Sequence, residues 1–257
     1  NTFKNVILVW IPAYAGMTNI KRYMKAEDLQ KYKKVQTIAK ETIESLKSFI
    51  KEGMSEKEIF QEAEKIMEQK GINSYWYYDA GAMVFVGKRT TISMSGKNYK
   101  PTDLKVQSED LVTVDLAPEI NGFWGDFARS FVVVNEIVGD ENMSKIPEIT
   151  EGIKTEAIVH EKFKNTIKED MSLQEAYTKM NLFIDELGFE NLDFKKNLGH
   201  SIEKNIDDRK YIEAGNKIKF KEIDLFTFEP HLKKKNGYYG VRLENIYYFD
   251  KGIVQTL

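Results

Sequence analysis

From residue 25 onward, apolar side chains recur at three- and four-residue steps, at Leu29, Tyr32, Val35, Ala39, Ile43, Leu46 and Ile50, with lysines and glutamates between them. That spacing predicts an amphipathic helix ending near Gly53. Ser55-Glu56-Lys57-Glu58 then forms a capping box, in which hydroxyl and carboxylate each satisfy an amide at the start of a second helix, which closes at Gly71. The same pattern returns 117 residues later. Residues 50–71 align without gaps on residues 167–188 with seven of twenty-two positions identical, and Ser172-Leu173-Gln174-Glu175 is a second capping box. The chain therefore reads as a duplicated helix–helix–strand unit, with halves over about 25–134 and 148–257 and a link over 135–147. In this register His160 takes the place of Ile43 on the apolar stripe, which predicts a buried core histidine rather than a ligand.

Strand-like runs follow each helix pair: 74–78, 82–86 and 90–94 in the first half, 223–230 and 239–249 in the second. Between them, residues 111–131 hold two β-branched, apolar runs around Asn121-Gly122, the dipeptide suited to the positive φ angles of a two-residue hairpin turn. A turn centred there sets Ala117 opposite Asp126. Asp115 then lies on the same face as Asp126 in a diagonal cross-strand relation, with backbones about 7–8 Å apart. Two such carboxylates are costly to bury without a positive charge between them; the alternative is that one faces solvent at the turn. A second Asn-Gly, at 236–237, centres another hairpin that puts Glu229 opposite Glu244. Pro230 and the run Lys233-Lys234-Lys235 point to a longer, solvated loop at its tip.

Composition narrows the chemistry. Of the 257 residues, 42% are hydrophobic and 12% aromatic, enough for a sizeable core, and the net charge of −2 gives no sign of nucleic acid or an anionic membrane as partner. The chain has no cysteine and three histidines, His160, His200 and His231, so thiol catalysis is excluded and a metal site must be mainly carboxylate. Such a site suits hard ions such as manganese. His200 sits in Asn197-Leu198-Gly199-His200, where it can add one nitrogen to the four acids.

The first 24 residues do not fit this pattern and read as an extension. Residues 6–15 are apolar after Lys4, and Ala13-Tyr14-Ala15 looks like a signal-peptidase site, but Pro12 interrupts a run far shorter than the roughly 20 residues of a membrane span. The expectation is an uncleaved extension on a cytoplasmic protein.

In order and spacing, Asp115, Asp126, Gly199-His200, Phe228-Glu229-Pro230 and Gly240-Val241-Arg242-Leu243-Glu244 resemble the dinuclear-metal pita-bread peptidases: methionine aminopeptidases, Xaa-Pro aminopeptidases and prolidases. The likeness covers about residues 25–257, and Gly-Val-Arg-Leu-Glu is more similar to the Xaa-Pro and prolidase branch. It implies an α+β pita-bread fold, with pseudo-twofold halves around a curved antiparallel sheet. It also implies two divalent ions, manganese first and cobalt, iron or zinc as alternatives. In that scheme Asp126 and Glu244 bridge, Asp115 completes one ion, and His200 and Glu229 the other. The ions activate a water and polarise the scissile carbonyl, while Glu229 shuttles a proton. Arg242 should point away from Glu244 unless the strand bulges, and clamps an acid or makes an ordinary inter-strand pair. The partner is a short peptide, with a homodimer left open.

The chain also departs from that family. Lys97, Lys196 and Asp207 stand where relatives carry accessory histidines. Lys97 is a candidate for stabilising the oxyanion, Asp207 for pairing with a substrate amine, and His231 for a replacement imidazole, against a simple loop histidine. Two rivals to the aminopeptidase stand beside it: a creatinase-like small-amide hydrolase, and a non-catalytic protein that binds peptide in the cleft.

Overall fold

The computed structural model describes residues 24–134, 136–139 and 141–257. The N-terminal extension apart from Met24, and Asn135 and Asp140 of the link, lie outside the described residues. Four helices carry the two halves: α1 (Ala26–Phe49), α2 (Glu56–Gln69), α3 (Pro147–Thr166) and α4 (Leu173–Glu186). Both capping boxes form, on Ser55 with Glu58 and on Ser172 with Glu175. The repeat also extends past the helices. Ser55 bridges Lys105 while Ser172 bridges Lys219, and the amides of Glu56 and Leu173 bond the carbonyls of Leu104 and Ile218. Each helix pair lays its stripe on its own sheet. Val35, Ile43 and Leu46 pack with Val84 and Val114 in one core; Phe163, Met180 and Ile184 pack with Phe226 and Phe228 in the other.

The first hairpin keeps one register throughout: Asp115 pairs with Ala128, Leu116 with Phe127 and Glu119 with Trp124, so Ala117 falls opposite Asp126. Asn121 and Gly122 take φ of 52° and 77°, as the two-residue turn requires. The ladder opens at Ala117, whose amide bonds Gly81 O and whose carbonyl accepts from Trp76 N. The tip of the hairpin thereby turns to join Ser74–Tyr75, while its base pairs with Ala82–Val86 and Ile137–Gly139. The second hairpin also holds a single register. His231 pairs with Arg242 and Phe228 with Asn245, which sets Glu229 opposite Glu244.

The two hairpins are stitched together where their acids lie. Arg129 bridges Leu243, Glu244 N donates to Ala128 O, and the Arg129 guanidinium donates to Glu244 O at 2.6 Å and Asn245 Oδ1 at 2.7 Å.

Several local expectations change. Residues 90–94 are not a strand: Gly87, at φ 58°, opens a 3₁₀ turn over Gly87–Thr91, and the Thr90 and Thr91 hydroxyls bond back to the carbonyls of Gly87 and Lys88. Such local bonds compete with a ladder. The strand at 74–78 shortens to Ser74–Tyr75, because Tyr78 and Asp79 adopt positive φ. The strand at 239–249 splits into Gly240–Arg242 and Asn245–Asp250. The link contributes Ile137–Gly139 to the first sheet. The lysine run is no free loop: Lys233 and Lys234 lie on His231–Lys234, and Lys233, Lys234 and Lys235 pair with Glu190, Glu151 and Asp185. Among the described residues, no helix is long and apolar enough to cross a membrane.

Because the two capping boxes are geometrically equivalent, Ser55→Ala and Ser172→Ala should each cost about 1 kcal/mol of stability. Urea unfolding of the two variants measures this, and a loss confined to one would break the equivalence.

Candidate metal centre

Asp115 and Asp126 face one cleft from the first hairpin, and Glu244 joins them from the second. One carboxylate oxygen from each lies within 4.8 Å of the others, and all three residues are buried. Asp126 Oδ2 and both Glu244 oxygens are buried with no hydrogen-bond partner. Their backbones cannot retreat. Gln36, fully buried on α1, donates to Asp126 O at 2.8 Å and accepts from Asp126 N at 2.9 Å. Glu244 is held at both its amide and its carbonyl by the Ala128–Arg129 stitch.

His200 closes the other side. Its Nδ1 donates to the Ser201 carbonyl at 3.0 Å, which leaves the Nε2 lone pair facing Asp126 Oδ2 and Glu229 Oε1, each at 3.5 Å. Gly199, at φ 140°, passes so close to Thr227 that any Cβ there would strike its backbone carbonyl. That contact seats the histidine on strand Phe226–Phe228. Thr227 Oγ1 accepts from His200 N and donates to Glu229 Oε1 at 3.1 Å. Asp126 is thus common to two donor groups, one with Asp115 and Glu244, the other with His200 and Glu229.

Arg242 lies on the same side as Glu244, because period-two alternation puts residues two apart on one face, which corrects the expectation that it would point away. Its Nη1 donates to Asp115 Oδ2 at 2.7 Å. Burial, then the neighbouring acids, push the Asp126 and Glu244 carboxyls well above the usual range. Burial also raises Asp115, with Arg242 opposing it. Glu229, one-fifth exposed, is pushed up to about 7, chiefly by burial. Burial, helped by Arg209, lowers His200 to about 3 and keeps the imidazole neutral.

The other sequence candidates lie elsewhere. Lys97 and Asp207 are exposed on 3₁₀ turns, Gly96–Asn98 and Ile206–Asp208, and neither lines the cleft. His231 is buried on His231–Lys234, behind Arg242. His160 is a core residue as expected, bonded to Tyr247 Oη at 2.7 Å and Leu243 O at 2.8 Å.

The structure adds residues that the sequence did not single out. Trp76, Tyr77, Met83, Met94, Phe194 and Tyr211 wall the cleft, and Arg209 stands among them. Its guanidinium carbon lies 5.3 Å from the Trp76 and Tyr211 rings and 5.4 Å from Tyr77. Its Nε donates to Ile206 O, and it forms no ion pair among the described residues. Only Gln36 carried a signal in the sequence, as a polar residue on the apolar stripe of α1.

Duplicated helix pairs and hairpins closing four carboxylates and one imidazole over a cleft define the pita-bread fold of metal-dependent hydrolases. The chain belongs to metallopeptidase family M24, whose model matches residues 30–251. An uncharacterized peptidase of Staphylococcus epidermidis is 25% identical over 227 residues, covering 87% of this chain and 59% of its own length. One from Methanocaldococcus jannaschii is 26% identical over 239 residues, at 90% and 62%. The fold is similar to that of an X-Pro aminopeptidase from Thermotoga maritima, with TM-score 0.74 and 20% identity, covering 91% of this chain and 61% of that one. A prolidase from Pyrococcus horikoshii gives 0.76 and 18%, at 91% and 62%. The chain therefore spans about three-fifths of the length of these relatives.

A carboxyl raised in the folded state stabilises the fold below its unfolded value and loses that contribution as pH rises through its folded value. For Glu229 the window runs from 4.5 to about 7. Protein stripped with chelator should melt at a lower temperature at pH 8 than at pH 5, and added Mn²⁺ should restore the loss at pH 8. Melting that ignores both variables would count against a cation-seeking cluster.

Proposed function

We propose that the chain is the catalytic part of a divalent-metal-dependent exopeptidase that removes the N-terminal residue of short peptides, with Xaa-Pro starts preferred. The observation that carries this reading is the set of buried, unpartnered carboxylate oxygens on Asp126 and Glu244, beside the lone pair of His200. Neutralising them calls for cations, and the donor set suits two hard or borderline divalent ions such as manganese. Asp115, Asp126, His200, Glu229 and Glu244 would hold them. When bound, such a pair activates a water and polarises the scissile carbonyl.

The chain's own groups supply the rest. Glu229, at the edge of the cleft and poised near neutrality, takes a proton from the attacking water and passes it to the departing amine. Arg242 holds Asp115 in place. Arg209 stands in the cleft with guanidinium hydrogens free of any carboxylate, and receives an anionic group of the substrate; short peptides bring their own terminal carboxylate within reach. The flat aromatic walls suit a proline ring, and the likeness to an X-Pro aminopeptidase and a prolidase supports the same preference.

The test is mass-spectrometric product analysis of a defined peptide mixture, including Met-Ala and Xaa-Pro starts, with manganese-loaded protein. Loss of one N-terminal residue is expected, and Asp126→Ala should reduce it more than about a hundredfold, beyond what removing an outer partner of a ligand costs. No cleavage, with two ions bound, would leave the small-amide hydrolase or the binding protein. Arg209→Met should raise KM for dipeptides about tenfold, the loss of one charge-assisted hydrogen bond, and should hardly change it for C-terminally amidated peptides.

A further inference from the structure

His231 belongs to none of the steps above, yet it is one of three histidines in the chain and is almost fully buried, two residues from Glu229. Its surroundings are built from both halves. Nε2 lies 2.6 Å from the carbonyl of Thr90 in the first half, and Nδ1 lies 3.4 Å from Arg242 Nη2. A carbonyl only accepts and a guanidinium only donates. The two contacts together therefore fix a single form of the ring, uncharged, with its proton on Nε2 and its lone pair on Nδ1 turned to Arg242.

Thr90 is itself held firmly. Its hydroxyl donates to Gly87 O and accepts from Gly240 N, and its neighbour Arg89 pairs with the buried Glu56 at 2.8 Å. A Cβ at Gly240 would strike both Thr90 O and His231 Nε2, so the ring has no room to turn away. Arg242 has few other restraints. Its Nε is buried without a partner, so the guanidinium is aimed by Nη1 on Asp115 and Nη2 on His231.

We propose that His231 is a positioning residue for the metal centre: as the neutral Nε2–H imidazole it presents an acceptor that steers Arg242 onto Asp115, and thereby fixes the oxygen that Asp115 offers to a cation. The inference rests on the reading of the acid cluster as a divalent-metal site. It also explains how a histidine so near the acids serves the site without lining the cleft.

Two measurements on the full chain test it. In long-range ¹H–¹⁵N spectra of the metal-free protein, with His231 assigned by its loss in His231→Asn, the proton should reside on Nε2; a proton on Nδ1 overturns the proposal. Calorimetric titration with Mn²⁺ then compares variants. Asparagine can put an oxygen near the Nδ1 position, so His231→Asn should keep its affinity for both ions within about threefold. His231→Leu, with no acceptor, should lose about tenfold or more at one ion, the usual scale for removing a partner of a metal ligand. His231→Gln can reach Thr90 but offers Arg242 nothing, and should follow the leucine variant, which keeps the test decisive if leucine prevents folding. Equal binding by all variants and the wild type overturns the positioning role alone. Equal loss in all three, with unchanged melting of the metal-free proteins, also overturns it, because the acceptor would then be irrelevant. A wild-type protein that binds no divalent ion overturns this inference and the metal-centre reading together.

Discussion

Mutual repulsion among buried carboxylates is the constraint around which the molecule is built. Asp115, Asp126 and Glu244 bring oxygens within 4.8 Å of one another, and all three residues are buried. Like charges at that separation, with reduced solvent screening, strongly disfavour joint ionisation. The backbone bonds around them answer this: Gln36 grips Asp126 from both sides, Ala128 and Arg129 grip Glu244, and Leu198 O accepts from Glu229 N. The acids are held together by the scaffold, while Arg242 opposes the rise at Asp115, which it touches, and also at Glu229 and Glu244.

The duplication supplies this grip twice, with different chemistry. On α1 the polar residue is Gln36, which holds the backbone of Asp126. On α3 it is His160, whose Nε2 donates to Leu243 O, next to Glu244, and whose Nδ1 accepts from the Tyr247 hydroxyl. In each half the first helix of the pair thus sends a polar side chain to the backbone at, or next to, the second acid of its hairpin. The acids differ too, aspartates in one half and glutamates in the other, so the two sides of the cleft reach different distances from similar strands.

Hairpin register was legible in the sequence because each hairpin is centred on an Asn-Gly and period-two alternation leaves few alternatives, although the second closes through a longer loop over 235–239 rather than a two-residue turn. Ala117 opposite Asp126 and Glu229 opposite Glu244 both follow from counting outward from the turn. The helix repeat was legible for a similar reason: capping boxes and closing glycines mark helix ends locally. Where a local side-chain bond overrides alternation, counting fails. Arg242 reaches the cleft by alternation itself, two residues from Glu244, whereas Thr90 leaves the strand pattern because its hydroxyl bonds Gly87 O. Lys97 and Asp207 share a spacing with residues of relatives, but their 3₁₀ turns leave them in solvent. Arg209, two residues beyond Asp207, turns inward because three aromatic rings receive its flat guanidinium, a preference that sequence spacing does not express.

The Arg129 stitch has a kinetic meaning. The amide and carbonyl of Glu244 find their partners only on residues 128 and 129, more than a hundred positions earlier in the chain, so the acid cluster comes into being only when the second hairpin docks on the first. Contacts of such long range carry a high closure entropy and tend to form late. A cation held by the finished cluster would strengthen contacts that a late barrier has yet to make. Its effect would fall on how slowly the protein comes apart, far more than on how quickly it assembles.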